Sequence, residues 1–190
     1  MSEETIRCFL GVPLSPPLNA ALDQRVQALN ALAAAHPVRW VSAANRHMTL
    51  LFLGDQPLAM ALKLQAALQP VCASHPGFTL RSQVVSGFPD AKSAIVALEL
   101  EPADGLQDWL TDIRSVLSGL DTLAGVLANE RRYRPHVTLG RLPRGQRWPL
   151  PPQPCELALT VQSIVLYQSR LTPKGAQYTP VWTLPLAAEA

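Results

Sequence analysis

At 190 residues the chain is long enough for one well-cored domain and too short for several independent ones. Apolar residues make up 48% of it and charged residues 16%, a balance that excludes disorder, and no run reaches the roughly 18 apolar residues of a membrane span. The net charge is only +2, yet Arg131, Arg132, Arg134, Arg141, Arg144 and Arg147 place six of the 16 basic residues within 131–147 with no acidic residue among them, which suits a phosphate-bearing ligand better than a general nucleic-acid coat.

In chain order, residues 5–12 read as a strand, and Ser15-Pro16-Pro17 supplies a capping residue followed by first-turn prolines. Leu18, Leu22, Val26, Leu29 and Leu32 then recur at helical steps and define one buried face, until His36-Pro37 stops the helix. Extended structure resumes at Trp40-Val41. A strand over 47–53 closes at Gly54-Asp55, and Pro57 opens an alanine- and leucine-rich helix running toward Pro70. Strands follow at 78–85 and 93–100, joined around Gly87-Phe88-Pro89-Asp90. Leu106, Trp109, Leu110, Ile113 and Leu117 mark a third helix behind an Asp104 cap, and 135–141 forms the next strand. After a proline-rich loop at 149–154, strands near 157–167 and 177–184 turn at Pro173-Lys174-Gly175. Strands broken by a few helices, without regular βα alternation or a glycine-rich nucleotide loop, predict an α+β fold of mainly antiparallel sheet flanked by helices.

Cys8, Cys72 and Cys155 are odd in number, far apart and in no metal-binding spacing, so they are expected to be buried or incidental thiols. The acidic start Met1-Ser2-Glu3-Glu4 is unlike a secretory leader and sets the expectation of a cytoplasmic protein.

The informative feature is a repeat: His47-Met48-Thr49-Leu50 and His136-Val137-Thr138-Leu139, 89 residues apart. In a strand, residues i and i+2 share a face, so each His stands with its Thr while the apolar neighbours pack behind. Two halves related by an approximate two-fold would bring two imidazoles and two hydroxyls to one ligand across a cleft. Phosphate-ester cleavage needs one group to take a proton and one to give it. Histidine does either near neutrality, and threonine hydroxyls can donate to nonbridging phosphate oxygens. Neither motif carries a further ligand at zinc spacing, so no metal is expected. His36 and His75 precede prolines outside the predicted strands and read as surface or loop residues.

At these motifs the sequence resembles the two-histidine phosphoesterase superfamily, in particular the RNA 2′,3′-cyclic phosphodiesterases historically called 2′-5′ RNA ligases. The likeness extends to Arg7-Cys8-Phe9-Leu10-Gly11-Val12, Arg39-Trp40-Val41, Arg46 through Gly54, Arg134 through Arg141, and Leu166 through Leu171 with Gly175 and Tyr178. It implies one two-lobed α+β unit over 1–190, pseudo-symmetric about a central cleft, monomeric and without metal or cofactor, that opens a 2′,3′-cyclic phosphate at an RNA 3′ end to a 2′-phosphate. By the same resemblance His47 gives a proton to the 3′ oxygen, His136 activates water, and Thr49 and Thr138 hold the phosphate. The residues alone do not say which His does which. Ligation through a 2′-5′ linkage would be this chemistry with a ribose hydroxyl replacing water.

Arg141, Arg134 and Tyr178 complete the candidate substrate contacts. Strict alternation turns Arg141 away from His136 unless Gly140 introduces a bulge, whereas Arg134 has the matching parity. Tyr178 and Phe52 suit base stacking, with core packing the expected role of Phe52. Other readings are a phosphodiesterase for small cyclic nucleotides or ADP-ribose cyclic phosphate, and a non-catalytic binder of phosphorylated RNA ends. The basic segment favours a polymer end over the first, and two intact motifs weigh against the second.

Overall fold

The computed structural model describes residues 4–120, 123, 133–173 and 175–188. Met1, Ser2, Glu3, Arg131, Arg132 and Lys174, all invoked in the sequence reading, lie outside them. The described residues form three α-helices and ten strands: β1 (Thr5–Pro13), α1 (Pro16–Leu32), β2 (Arg39–Trp40), β3 (His47–Pro57), α2 (Leu58–Ser74), β4 (Phe78–Phe88), β5 (Ile95–Leu100), α3 (Asp104–Ser118), β6 (His136–Arg141), β7 (Gln153–Pro154), β8 (Ala158–Val161), β9 (Ser163–Thr172) and β10 (Gly175–Pro185). The strands make an antiparallel sheet in the order β10-β9-β1-β3-β6-β5-β4-β7, with β2 added to β6 and β8 to β4. The predicted α+β class with mainly antiparallel pairing is what forms. No helix among the described residues is long and apolar enough to cross a membrane.

The sheet's two faces differ in chemistry. On β1, Ile6, Cys8, Leu10 and Val12 enter one large core with the buried stripes of all three helices, including Leu22, Leu64 and Trp109. Phe9 points the other way and packs with Val165, Tyr167 and Tyr178 in a separate small cluster. Period-two alternation therefore assigns the even residues of β1 to the helix side and the odd ones to the open side. All three cysteines are free and buried.

One buried position and three boundaries depart from the sequence reading. Leu32 is exposed and Ala33 buried in its place, because the buried stripe steps from Leu29 by four residues and not three. Pro70 does not stop α2, which continues to Ser74, and α3 begins at Asp104 itself with Ala103 in the cap position. Strand β3 runs past Gly54-Asp55 to Pro57. Its pairing with β1 slips by one residue twice, Leu10 and Gly11 facing Leu51 and Thr49, Cys8 and Phe9 facing Gly54 and Phe52. Gly54, at φ +72°, belongs to the second slip, where a positive φ lets the strand bulge and resume.

Strands β3 and β6 meet at the centre of the sheet order, and their ladder is short: Met48 opposite Val137, both wholly buried. Tyr133 adds a second tie, its hydroxyl donating to the Thr49 carbonyl at 2.6 Å.

Candidate active site

The two histidines are the first residues of the two strands that meet at the sheet's centre. Because Met48 faces Val137 in an antiparallel pair, one further step in each direction sets His47 across from Thr138 and Thr49 across from His136. Each imidazole thus stands beside its own threonine along the strand and the other motif's threonine across it.

Both rings are held in the same way. His47 Nδ1 donates to the Asn45 carbonyl at 2.8 Å, and His136 Nδ1 donates to the Arg134 carbonyl at 3.0 Å, in each case the residue two positions back. A carbonyl only accepts, so Nδ1 carries the proton and Nε2 is left as the working nitrogen in both. On His47 that nitrogen accepts from the Thr49 hydroxyl at 3.1 Å. On His136 it has no hydrogen-bond partner among the described residues.

Their surroundings differ. His47 lies among aromatic rings, with Phe9 at 4.7 Å, Tyr178 at 5.0 Å and Tyr167 at 5.6 Å between centroids. Burial here outweighs the bond to Asn45, and with a smaller contribution from the nearby His136 it brings the His47 pKa down to about 4. His47 is therefore neutral in the free protein at neutral pH. His136 stacks on Phe88 at 3.9 Å. Its pKa is also lowered, first by burial and then by Arg134 and Arg141, while the Arg134 carbonyl and the Glu99 carboxylate pull it up.

Arg141 stands on the histidine side, and a bulge puts it there. Thr138 pairs with Ala97 but Gly140 pairs with Val96, so Leu139 is the extra residue and Arg141, opposite Ile95, regains the face of Thr138 and His136. Tyr178 edges onto the His47 ring. Arg134 is engaged by the wall of the site: its guanidinium donates to Glu99 at 2.8 Å and to the Pro89 carbonyl at 2.7 Å, and lies 4.8 Å over the Phe88 ring. The expected core role of Phe52 is overturned. It is 69% exposed, because the slip after Leu50 returns it to the open face beside Phe9.

Phe9, Phe88, Glu99, Tyr133 and Tyr167 also build the site and escaped the sequence reading. The one available signal was on β1, where Phe9 has the parity opposite to Cys8 and Leu10 and so cannot share their core. His36 is exposed, and His75 pairs with Asp112 at 2.7 Å, far from the motifs in the chain. Among the described residues no three His, Cys, Asp or Glu side chains gather in a way that would hold a metal ion.

The model of the 2′-5′ RNA ligase superfamily matches residues 16–168 of this chain. The chain belongs to that superfamily. A protein of Aquifex aeolicus named RNA 2′,3′-cyclic phosphodiesterase is 27% identical over 185 residues, spanning 94% of this chain and 96% of its own. Among solved structures, a protein of Thermus thermophilus superposes with a TM-score of 0.83 at 25% identity, covering 97% of this chain and all of that one. Escherichia coli LigT, solved with 3′-AMP, superposes at 0.72 with 25% identity, covering 96% and 99%. The superfamily fold therefore accounts for nearly the whole chain.

Proposed function

We propose that the protein hydrolyses 2′,3′-cyclic phosphate ends of RNA to 2′-phosphomonoesters, as a single two-lobed monomeric unit in the cytoplasm, with His47 and His136 as its acid/base pair. The observation that supports this reading is the pairing of Met48 with Val137, whose register sets two Nδ1-anchored histidines and two threonines at adjacent positions of neighbouring strands.

Chemically the parts divide as follows. His136, neutral and with its Nε2 unengaged, takes a proton from water as the water attacks phosphorus. His47, charged, gives its Nε2 proton to the departing 3′ oxygen. Burial keeps His47 neutral in the free protein, so it takes up a proton from solvent as the substrate binds, the anionic phosphate supplying the counter-charge that the aromatic surround lacks. Thr49 then turns its hydroxyl from Nε2 to a nonbridging oxygen, Thr138 donates to the other, and Arg141 balances the charge that builds there. Tyr178 flanks the ribose end, and Arg134 holds His136 through its carbonyl. With a ribose hydroxyl in place of water, the same groups in the same roles would join two ends through a 2′-5′ linkage, His136 taking the hydroxyl's proton and His47 giving one to the departing 3′ oxygen.

The test is incubation with an oligonucleotide ending in a 2′,3′-cyclic phosphate, with a 2′-phosphate as the expected product. His47→Ala and His136→Ala are each expected to lower turnover about 10²-fold or more while binding persists. Near-wild-type turnover in either variant would overturn the assigned roles.

A further inference from the structure

A groove of about 530 Å³ opens beside the histidines, sharing Tyr178 and Asn45 with them and lined by Arg39, Arg141 and Arg144, with no carboxylate among its described lining residues. Arg39 stands directly opposite Arg141 in the pairing of β2 with β6. Like charges directly opposed across an antiparallel ladder destabilise it. Among the described residues none of the three arginines has an ion-pair partner; the carboxylates found in ion pairs go to Arg46, His75 and Arg134.

Folding does not require this opposition. The two-residue strand β2 is fixed by other contacts: Trp40 Nε1 donates to Asn30 Oδ1 at 2.8 Å, and the Val41 amide donates to the Leu139 carbonyl at 2.8 Å. The Trp40 ring also lies against Gly140, so closely that a Cβ there would meet it at 2.9 Å. Those anchors hold Arg39 against Arg141 with nothing in the described protein to neutralise either, and an anion in the groove is the partner that makes the arrangement favourable.

We propose that the groove holds a second phosphate of the substrate, the one on the 5′ side of the terminal nucleotide, with Arg39 and Arg144 as its ligands. The inference rests on the cyclic-phosphate reading above. A nucleotide whose cyclic end lies between the histidines passes Tyr178 to reach the arginines, and the groove has the size of a small-ligand site. The enzyme then recognises the end of a strand, or a 5′-phosphorylated nucleotide, and disfavours a bare nucleoside cyclic phosphate.

The test compares kcat/KM and equilibrium binding for three ligands: a nucleoside 2′,3′-cyclic phosphate, its 5′-phosphorylated form, and a dinucleotide ending in the same cyclic phosphate. The wild type is expected to favour the ligands with a second phosphate about tenfold or more. Arg39→Gln/Arg144→Gln should abolish that preference and act within about twofold of wild type on the bare nucleoside cyclic phosphate. The double variant relieves a like-charge pair, so its melting temperature should not fall. Preference for the dinucleotide alone assigns the groove to a polymer diester, and preference shared by the 5′-phosphorylated nucleotide assigns it to a phosphate from either source. No preference in the wild type, or a preference retained in the variant, would overturn the proposal. Should none of the three be turned over, the reaction assigned above fails, and the binding comparison alone decides the groove by the same criteria.

Discussion

His47 and His136 share one method of attachment and differ in what surrounds them, and the difference is measurable. Burial among Phe9, Tyr167 and Tyr178 sets the His47 pKa at about 4, below its ordinary 6.5. Unfolding restores the ordinary value, so between those two the unfolded chain binds more protons than the folded one. Stability is thus expected to fall as pH drops from about 6.5 to about 4, with His47→Gln flattening that slope in denaturant titrations. A wild-type slope unchanged by the substitution would place His47 in water. Glu99, opposite His136 in the β5–β6 pairing and bonded to Arg134, raises the His136 pKa. Glu99→Gln should therefore move the acid limb of the kcat profile to lower pH, since His136, the proposed base, then stays neutral further down. A shift in the opposite direction would show that Glu99 acts otherwise.

At the scale of elements, the helices and most strands were legible because hydrophobic period reports burial, as with Leu106, Trp109, Leu110, Ile113 and Leu117 on α3, all buried. The HxT strands were legible for the same reason, with Met48 and Val137 apolar behind polar partners. Bulges were not. A one-residue slip exchanges the two faces; nothing in the local pattern around Leu50 announces one, so alternation alone misplaces Phe52, while Gly140 marks where a bulge could lie without showing that it forms, which leaves Arg141 in balance. The slip in β6 falls at Leu139, just before Gly140, where Trp40 and Val38 leave no room for a Cβ, each lying at 2.9 Å from where it would stand. Gly140→Ala is expected to cost about 1–3 kcal/mol by overpacking. It should also turn Arg141 out of line, lowering the melting temperature and weakening phosphate binding together. An unperturbed melt would mean that Trp40 yields at no cost.

For the molecule as a whole, what the sequence could not display is how its two halves are joined. Tyr133 precedes the second motif by three residues and bonds to the Thr49 carbonyl in the first, a link between positions 84 apart that only the folded sheet creates. Tyr133 is partly buried and its pKa is pushed up, first by burial. Tyr133→Phe leaves that carbonyl without its donor and is expected to cost about 1–3 kcal/mol of stability, read from chemical denaturation. An unaffected midpoint would show that water replaces the hydroxyl. The helices' buried stripes all join the core on one side of the sheet, while the imidazoles and Phe52 occupy the other. On the proposed function, an RNA end would meet His47 and His136 from the side of the sheet opposite the helices of the described residues. On that same reading, how much folded RNA can trail behind the reacting terminus would be limited by the RNA's own stiffness there, and a hairpin with a few unpaired terminal nucleotides is expected to be turned over as readily as a short free strand.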